Sequence, residues 1–252
     1  TGSAKLRAAF DAGPAADKTR MAGKLVLEGN AGAVRVNVKA DASGLAATPE
    51  QSEIKVEGAL ESGDAQALFR ILALDRVFAG SSQAGRLSFS AVGPLQSGLR
   101  VESRLEAPTL SARGTGQLKF SASQGLDGRV DFTLAKADLA PLRAAAGQGS
   151  EPLPVRLASR VAVSGPSANF EDLTGTIGAA TVRGQVRATF GSPLTLDGRL
   201  EATSVDASAL IAGAIGMPSA RADERWSPEP FARNVLSGLG GQIELRSARA
   251  QL

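Results

Sequence analysis

Polar and apolar residues alternate along run after run of this chain. Val34-Arg-Val36-Asn-Val38-Lys sets three valines on one side of an extended backbone and three polar groups on the other. The same period of two fits Leu87 to Ala91, Leu99 to Leu105, Gly116 to Phe120 and Leu126 to Leu134. It continues through Val155 to Val161, Gly184 to Phe190 and Leu194 to Leu200. Strands with this pattern are buried on one face and wet on the other, as in antiparallel sheets. A parallel sheet with helices on both faces would need continuous apolar runs instead. Turn residues divide the runs at Gly29-Asn30, Gly93-Pro94, Gln124-Gly125, Gly165-Pro166, Gly178 and Gly191-Ser-Pro193. The pattern predicts about a dozen strands in a meander of consecutive hairpins.

Three segments break the period. Asp64-Ala-Gln-Ala-Leu-Phe-Arg-Ile-Leu carries apolar residues at helical spacing behind an Asp suited to N-capping. Asp138 to Gly147 and Asp206 to Gly216 resemble it, which places short helices near 64–74, 138–147 and 206–216. Asp64, Asp138 and Asp206 are 74 and 68 residues apart, a weak internal repeat of several strands, then Asp and one helix. Residues 1–218 are expected to form the repeated sheet. Residues 219–252 are expected to form a loop with a Trp-Ser segment and the start of a further sheet segment.

Three short helices cannot cover a dozen one-sided strands, so the sheet must curl, close or stack. A dozen strands at ~4.8 Å span about 55–60 Å. The expected fold class is all-β with a few short helices: a long curled antiparallel meander whose lining makes an elongated apolar groove. A sandwich or a barrel remains an alternative. An outer-membrane barrel is disfavoured, because its girdles need Trp and Tyr and the chain has one Trp and no Tyr.

The absent residue types narrow the chemistry. Without Cys there is no disulfide framework, thiolate nucleophile or Cys-ligated metal. Without His there is no His-based triad and no ordinary transition-metal site. The net charge is +3, and no basic run or aromatic stacking platform suits nucleic acid. No apolar stretch nears the ~20 residues of a membrane helix. Ala207 to Met217 is the longest, and Gly213 and Gly216 break it. Lys5, Arg7 and Asp11 interrupt the first segment, so it does not resemble a signal peptide. Strand patterns run close to both ends, which suggests a segment of a longer protein.

The order of phrases then resembles a known family. Phe170-Glu-Asp-Leu-Thr-Gly-Thr-Ile-Gly178 is followed by a strand with an internal Gly184, then by Leu194-Thr-Leu-Asp-Gly-Arg-Leu-Glu-Ala and Val205-Asp-Ala-Ser-Ala-Leu. Trp226-Ser-Pro-Glu-Pro230-Phe follows, and then Leu236 to Leu245. Together they are similar to the AsmA family of bacterial envelope proteins, related to the TamB and YhdP groups. Glu53 to Leu74 and Gly128 to Leu142 repeat the strand-then-Asp-helix phrase more loosely. The resemblance implies a periplasmic segment of an inner-membrane-anchored protein whose anchor lies outside this chain. It implies phospholipid or another acyl lipid as the partner, and a role in lipid transport and outer-membrane biogenesis. It carries no catalytic motif and no cofactor.

Residues expected to line the groove are Val130, Phe132, Leu157, Val161, Val186, Phe190, Leu196 and Leu200. The competing reading is that these positions pack on one another as a dry core. A rival function is a scaffold that assists outer-membrane protein assembly by pairing strands at its sheet edges. An enzyme using carboxylates is a third, resting on Glu171-Asp172 or Asp223-Glu224. Gly114-x-Gly116 lacks the third Gly and the following helix of a dinucleotide loop. The three Asp residues could be calcium ligands but fit helix N-caps better. Trp226 reads as a plug at one end of the core, with a partner anchor as the alternative.

Overall fold

The structure, a computed structural model, describes residues 4–14, 21–44, 52–75, 77–95, 97–121, 125–145, 150–191, 193–206 and 239–251. Twelve strands follow one another: β1 (Ala4–Pro14), β2 (Met21–Ala31), β3 (Val34–Ser43), β4 (Glu53–Ser62), β5 (Gly85–Pro94) and β6 (Leu99–Ala107). Then come β7 (Leu110–Ser121), β8 (Gly125–Asp138), β9 (Pro154–Ser164), β10 (Ser167–Ile177), β11 (Ala180–Thr189) and β12 (Leu194–Ala202). Each pairs antiparallel with the next, so spatial order is chain order. Two helices interrupt the series, α1 (Ala65–Ile71) after β4 and α2 (Ala140–Ala145) after β8.

The last edge departs from the antiparallel expectation. β14 (Leu239–Gly240) and β15 (Ile243–Ser247) lie end to end along β12 and parallel to it. The sheet is therefore mixed, with fourteen strands in thirteen positions. Among the described residues no pairing joins β1 to the far edge, so the sheet is not closed. β13 (Val205–Asp206) pairs in parallel with β16 (Ala250–Gln251) in a separate two-stranded sheet.

Cross-strand partners point to the same face. Following the register from β1 to β12 places Leu27, Val38, Gly58, Phe89, Ser103, Gly114, Phe132, Ser159 and their neighbours two residues away on one face. The face continues through Phe170, Val186 and Gly198. Every Asp, Glu, Lys and Arg of these strands falls on the opposite face, and Asp172, in the β10 bulge, reaches Arg160 there. The alternation in the sequence is thus a sheet-wide separation of charge from apolar surface.

One end of the apolar face is covered. Asp64 caps α1: its Oδ1 accepts the Gln66 N–H at 2.9 Å, and the segment behind it is rich in good helix formers. Ala73, at φ 56°, ends the helix just beyond its C-cap Leu72. Leu68 and Phe69 are fully buried and cluster with Val34, Leu105, Leu110, Leu134, Ala137 and Val155. These strand residues all lie on the apolar face, toward the end of the strands nearest α1. Asp138 Oδ1 accepts the N–H of Ala140 at 2.9 Å and of Leu153 at 2.8 Å, which ties α2 to the approach to β9.

Several expectations change. Gly29-Asn30 is not a turn but lies inside β2, and the chain reverses at Gly32-Ala33 instead. Glu171-Asp172 sits at a bulge of β10, with Asp172 at φ 51°. Gly114 and Gly116 lie within β7 and not in a loop. Asp206 belongs to the two-residue β13. The rest of the expected third helix, Asp223-Glu224, Trp226 and the boundary at residue 218 lie outside the described residues.

Candidate functional site

The candidate site is the apolar face beyond the cover of α1. Seven of the eight sequence-selected residues lie in strands and share that face. Val130 stands directly opposite Val161, which stands opposite Phe170, then Val186, then Gly198. Leu157 stands opposite Leu134 and Gly175. Leu196 pairs with Ala188, and Leu200 with Gly184. Phe190 lies just past β11, with its N–H donated to the Pro166 carbonyl at 2.7 Å and its side chain 60% exposed.

They differ in availability. Val161 is buried, at 8% exposure. Phe132 and Leu157 are partly buried against the covered cluster. Val130, Val186, Leu196 and Leu200 are half-buried and stand outside that cluster. A second sheet packed on this face would bury such residues fully. The selection missed apolar neighbours on the same face, including Leu60, Leu87, Phe89, Leu118 and Phe170. Counting every second residue across the alternating runs would have found them.

Small residues thin the lining. Phe89 lies over Gly58 of the neighbouring strand, so a Cβ at Gly58 would run into the ring. Leu157 likewise leans over Gly175. Gly184 shows a backbone need as well: φ is +150°, and a Cβ there would strike the carbonyl oxygen of Arg199 on β12. At that backbone conformation a side chain at position 184 would point into the β12 backbone.

The opposite face carries exposed ion pairs. Arg183 reaches Glu201 at 2.7 Å, and Glu244 receives Arg246 at 2.8 Å and Arg199 at 3.0 Å. The hydrogen bond and charge of Arg246, assisted by Arg199, hold the Glu244 carboxyl below its ordinary value of 4.5. Arg160 lies between Asp131 at 3.9 Å and Asp172 at 3.5 Å. Those two carboxylates therefore face a common cation. Among the described residues no group of His, Cys, Asp and Glu could hold a metal ion.

A cavity of about 690 Å³ also opens on the charged face, lined among others by Asp11, Lys24, Asp41, Glu53 and Lys55. No described helix is long and apolar enough to cross a membrane. In comparisons with known proteins, the chain matches no family model, no curated protein and no solved structure.

Proposed function

We propose that this chain is a non-catalytic segment of an AsmA-like envelope protein, and that its apolar face forms a groove in which phospholipid acyl chains lie. On this reading it stands in the periplasm as part of an inner-membrane-anchored protein and supports lipid transport toward the outer membrane. The observation that carries the reading is the apolar face itself: free of charge from β1 to β12, and only half-buried at Val130, Val186, Leu196 and Leu200. An acyl chain of ~14 methylenes moved from water onto such a surface gains on the order of 11 kcal/mol before ordering costs. Its headgroup stays in water at the rim.

Two further features support the reading. Four strands precede α1, four more precede α2, and four more precede β13, which contains Asp206. That spacing fits a repeated unit extending one cross-section. Gly184 and Gly175 lie on the apolar face without a side chain, which leaves room beside Leu200 and Leu157.

The test is crosslinking of a photoactivatable phospholipid to the purified chain, with native mass spectrometry for lipid that co-purifies. Val186→Asp with Leu196→Asp places two charges on the apolar face. Crosslinking is expected to fall by at least about tenfold while circular dichroism stays that of the wild type, because a buried charge costs several kcal/mol against an alkyl chain. Unchanged crosslinking in the folded variant would overturn the reading.

A further inference from the structure

The two ends of the strands differ. One end carries α1 and α2, and from β5 to β12 the other is closed by turns alone. Those four turns, residues 94–99, 120–126, 164–167 and 189–194, contain no Asp, Glu, Lys or Arg. Backbone hydrogen bonds tie each turn to the next. The Phe120 N–H donates to the Leu95 carbonyl at 3.3 Å, the Gly165 N–H to the Leu126 carbonyl at 2.7 Å, and the Phe190 N–H to the Pro166 carbonyl at 2.7 Å. The turns therefore form one continuous uncharged rim, ~29 Å long at ~4.8 Å per strand.

Large apolar side chains stand open to solvent along this rim. Phe120 and Leu126 oppose each other one pair from the β7–β8 turn, 51% and 38% exposed, and Phe190 precedes the β11–β12 turn. All three lie on the apolar face. At the other end of the strands Leu68 and Phe69 of α1 already cover that face.

Area and charge constrain what fits here. The exposed parts of the three side chains amount to roughly 300 Å², against about 800 Å² per partner in a stable protein interface. They are also spread, since Phe120 and Phe190 stand four strands, ~19 Å, apart. A rigid protein surface would need a matching pocket for each. A fluid lipid interface closes around separate side chains wherever they stand. The turn backbone carries polar groups that need water or headgroups, so the rim belongs at headgroup depth with only its side chains below. An uncharged rim favours neither sign of headgroup.

We propose that this rim docks on a lipid bilayer, seated among the headgroups with Phe120, Leu126 and Phe190 inserted into the acyl boundary. The proposal stands on the rim alone and holds whether or not acyl chains enter the groove.

The test is flotation of the purified chain with phosphatidylcholine vesicles, and with vesicles that also contain phosphatidylglycerol. Binding to the two is expected to agree within about twofold and to survive about 0.5 M salt, which screens attraction between surface charges. Phe120→Ser with Phe190→Ser should cut partitioning about tenfold or more, because binding scales with inserted apolar area. Val186→Asp with Leu196→Asp leaves the rim intact and should float as the wild type does, so a failed groove and a failed rim are told apart. The chain has no Cys, so an environment-sensitive fluorophore can be attached to single cysteines. Labels at Ser97→Cys and Ser164→Cys, in rim turns, should shift to the blue on adding vesicles. A label at Ala179→Cys, in the β10–β11 turn at the other end, should not. The labelled variants keep both phenylalanines, so the orientation is tested even if the double phenylalanine variant does not fold. A wild type that stays off phosphatidylcholine vesicles would overturn the proposal. So would binding confined to anionic vesicles at low salt, a folded phenylalanine variant that binds as tightly as the wild type, or an equal blue shift at Ala179→Cys.

Discussion

The apolar face looks alike in sequence under α1 and over β10 to β12, yet the two regions differ in burial. Under the helix, Val34, Leu110, Ala137 and Val155 are nearly sealed beneath Leu68 and Phe69. Over β11 and β12 only the short Val182 and Ala188 are buried, and Val186, Leu196 and Leu200 stay half-exposed. Alternation therefore decides which way a side chain points. A covering element decides whether it leaves water.

The difference should be largest in stability. Phe69→Ala is expected to cost about 3–5 kcal/mol, and Leu200→Ala only about 1 kcal/mol, because the half-exposed site loses less apolar area and leaves no closed cavity. Equal shifts in urea denaturation would break the comparison. The caps come next. Asp64→Ala should cost about 1 kcal/mol and Asp138→Ala somewhat more, about 1–2 kcal/mol, since Asp138 accepts two backbone N–H groups and Asp64 one. Amide exchange should quicken locally around α1 in the first variant and around Leu153 in the second.

The smallest effect is acid loosening of the far edge. Glu244 has a lowered pKa in the folded chain, so its contribution is fully present above the ordinary value of 4.5. It is lost as pH falls through the lowered folded value. Amide exchange in β15 should therefore quicken below that range, while β3 under α1 is unaffected.

Much of the fold was legible in the sequence. Val34 to Lys39 and Leu126 to Leu134 announced strands because one-sided burial demands a period of two. Asp64 and Asp138 announced α1 and α2 because a carboxylate before a helical run satisfies free amides. One end was less legible: α1 stops at Ile71, short of the span expected, while the residues just past Ala145 of α2 lie outside the described ones. Gly29 misled because a glycine inside a strand looks like a turn until its neighbour's backbone is seen. The parallel β14 and β15 were hidden because pairing direction leaves no mark on alternation. Among the site residues, parity placed Val186, Leu196 and Leu200 correctly on one face. It could not tell them from Val161, which packing has closed over.

Strand order that follows chain order has a consequence for assembly. Every pairing from β1 to β12 joins strands consecutive in the chain, so hairpins can add one at a time to a growing edge. Such a sheet behaves almost as a one-dimensional stack. Lengthening it by whole hairpins extends the apolar strip and leaves its width, set by strands of about ten residues, unchanged. Reach and cross-section are therefore separable quantities in this architecture, and evolution can tune one without disturbing the other.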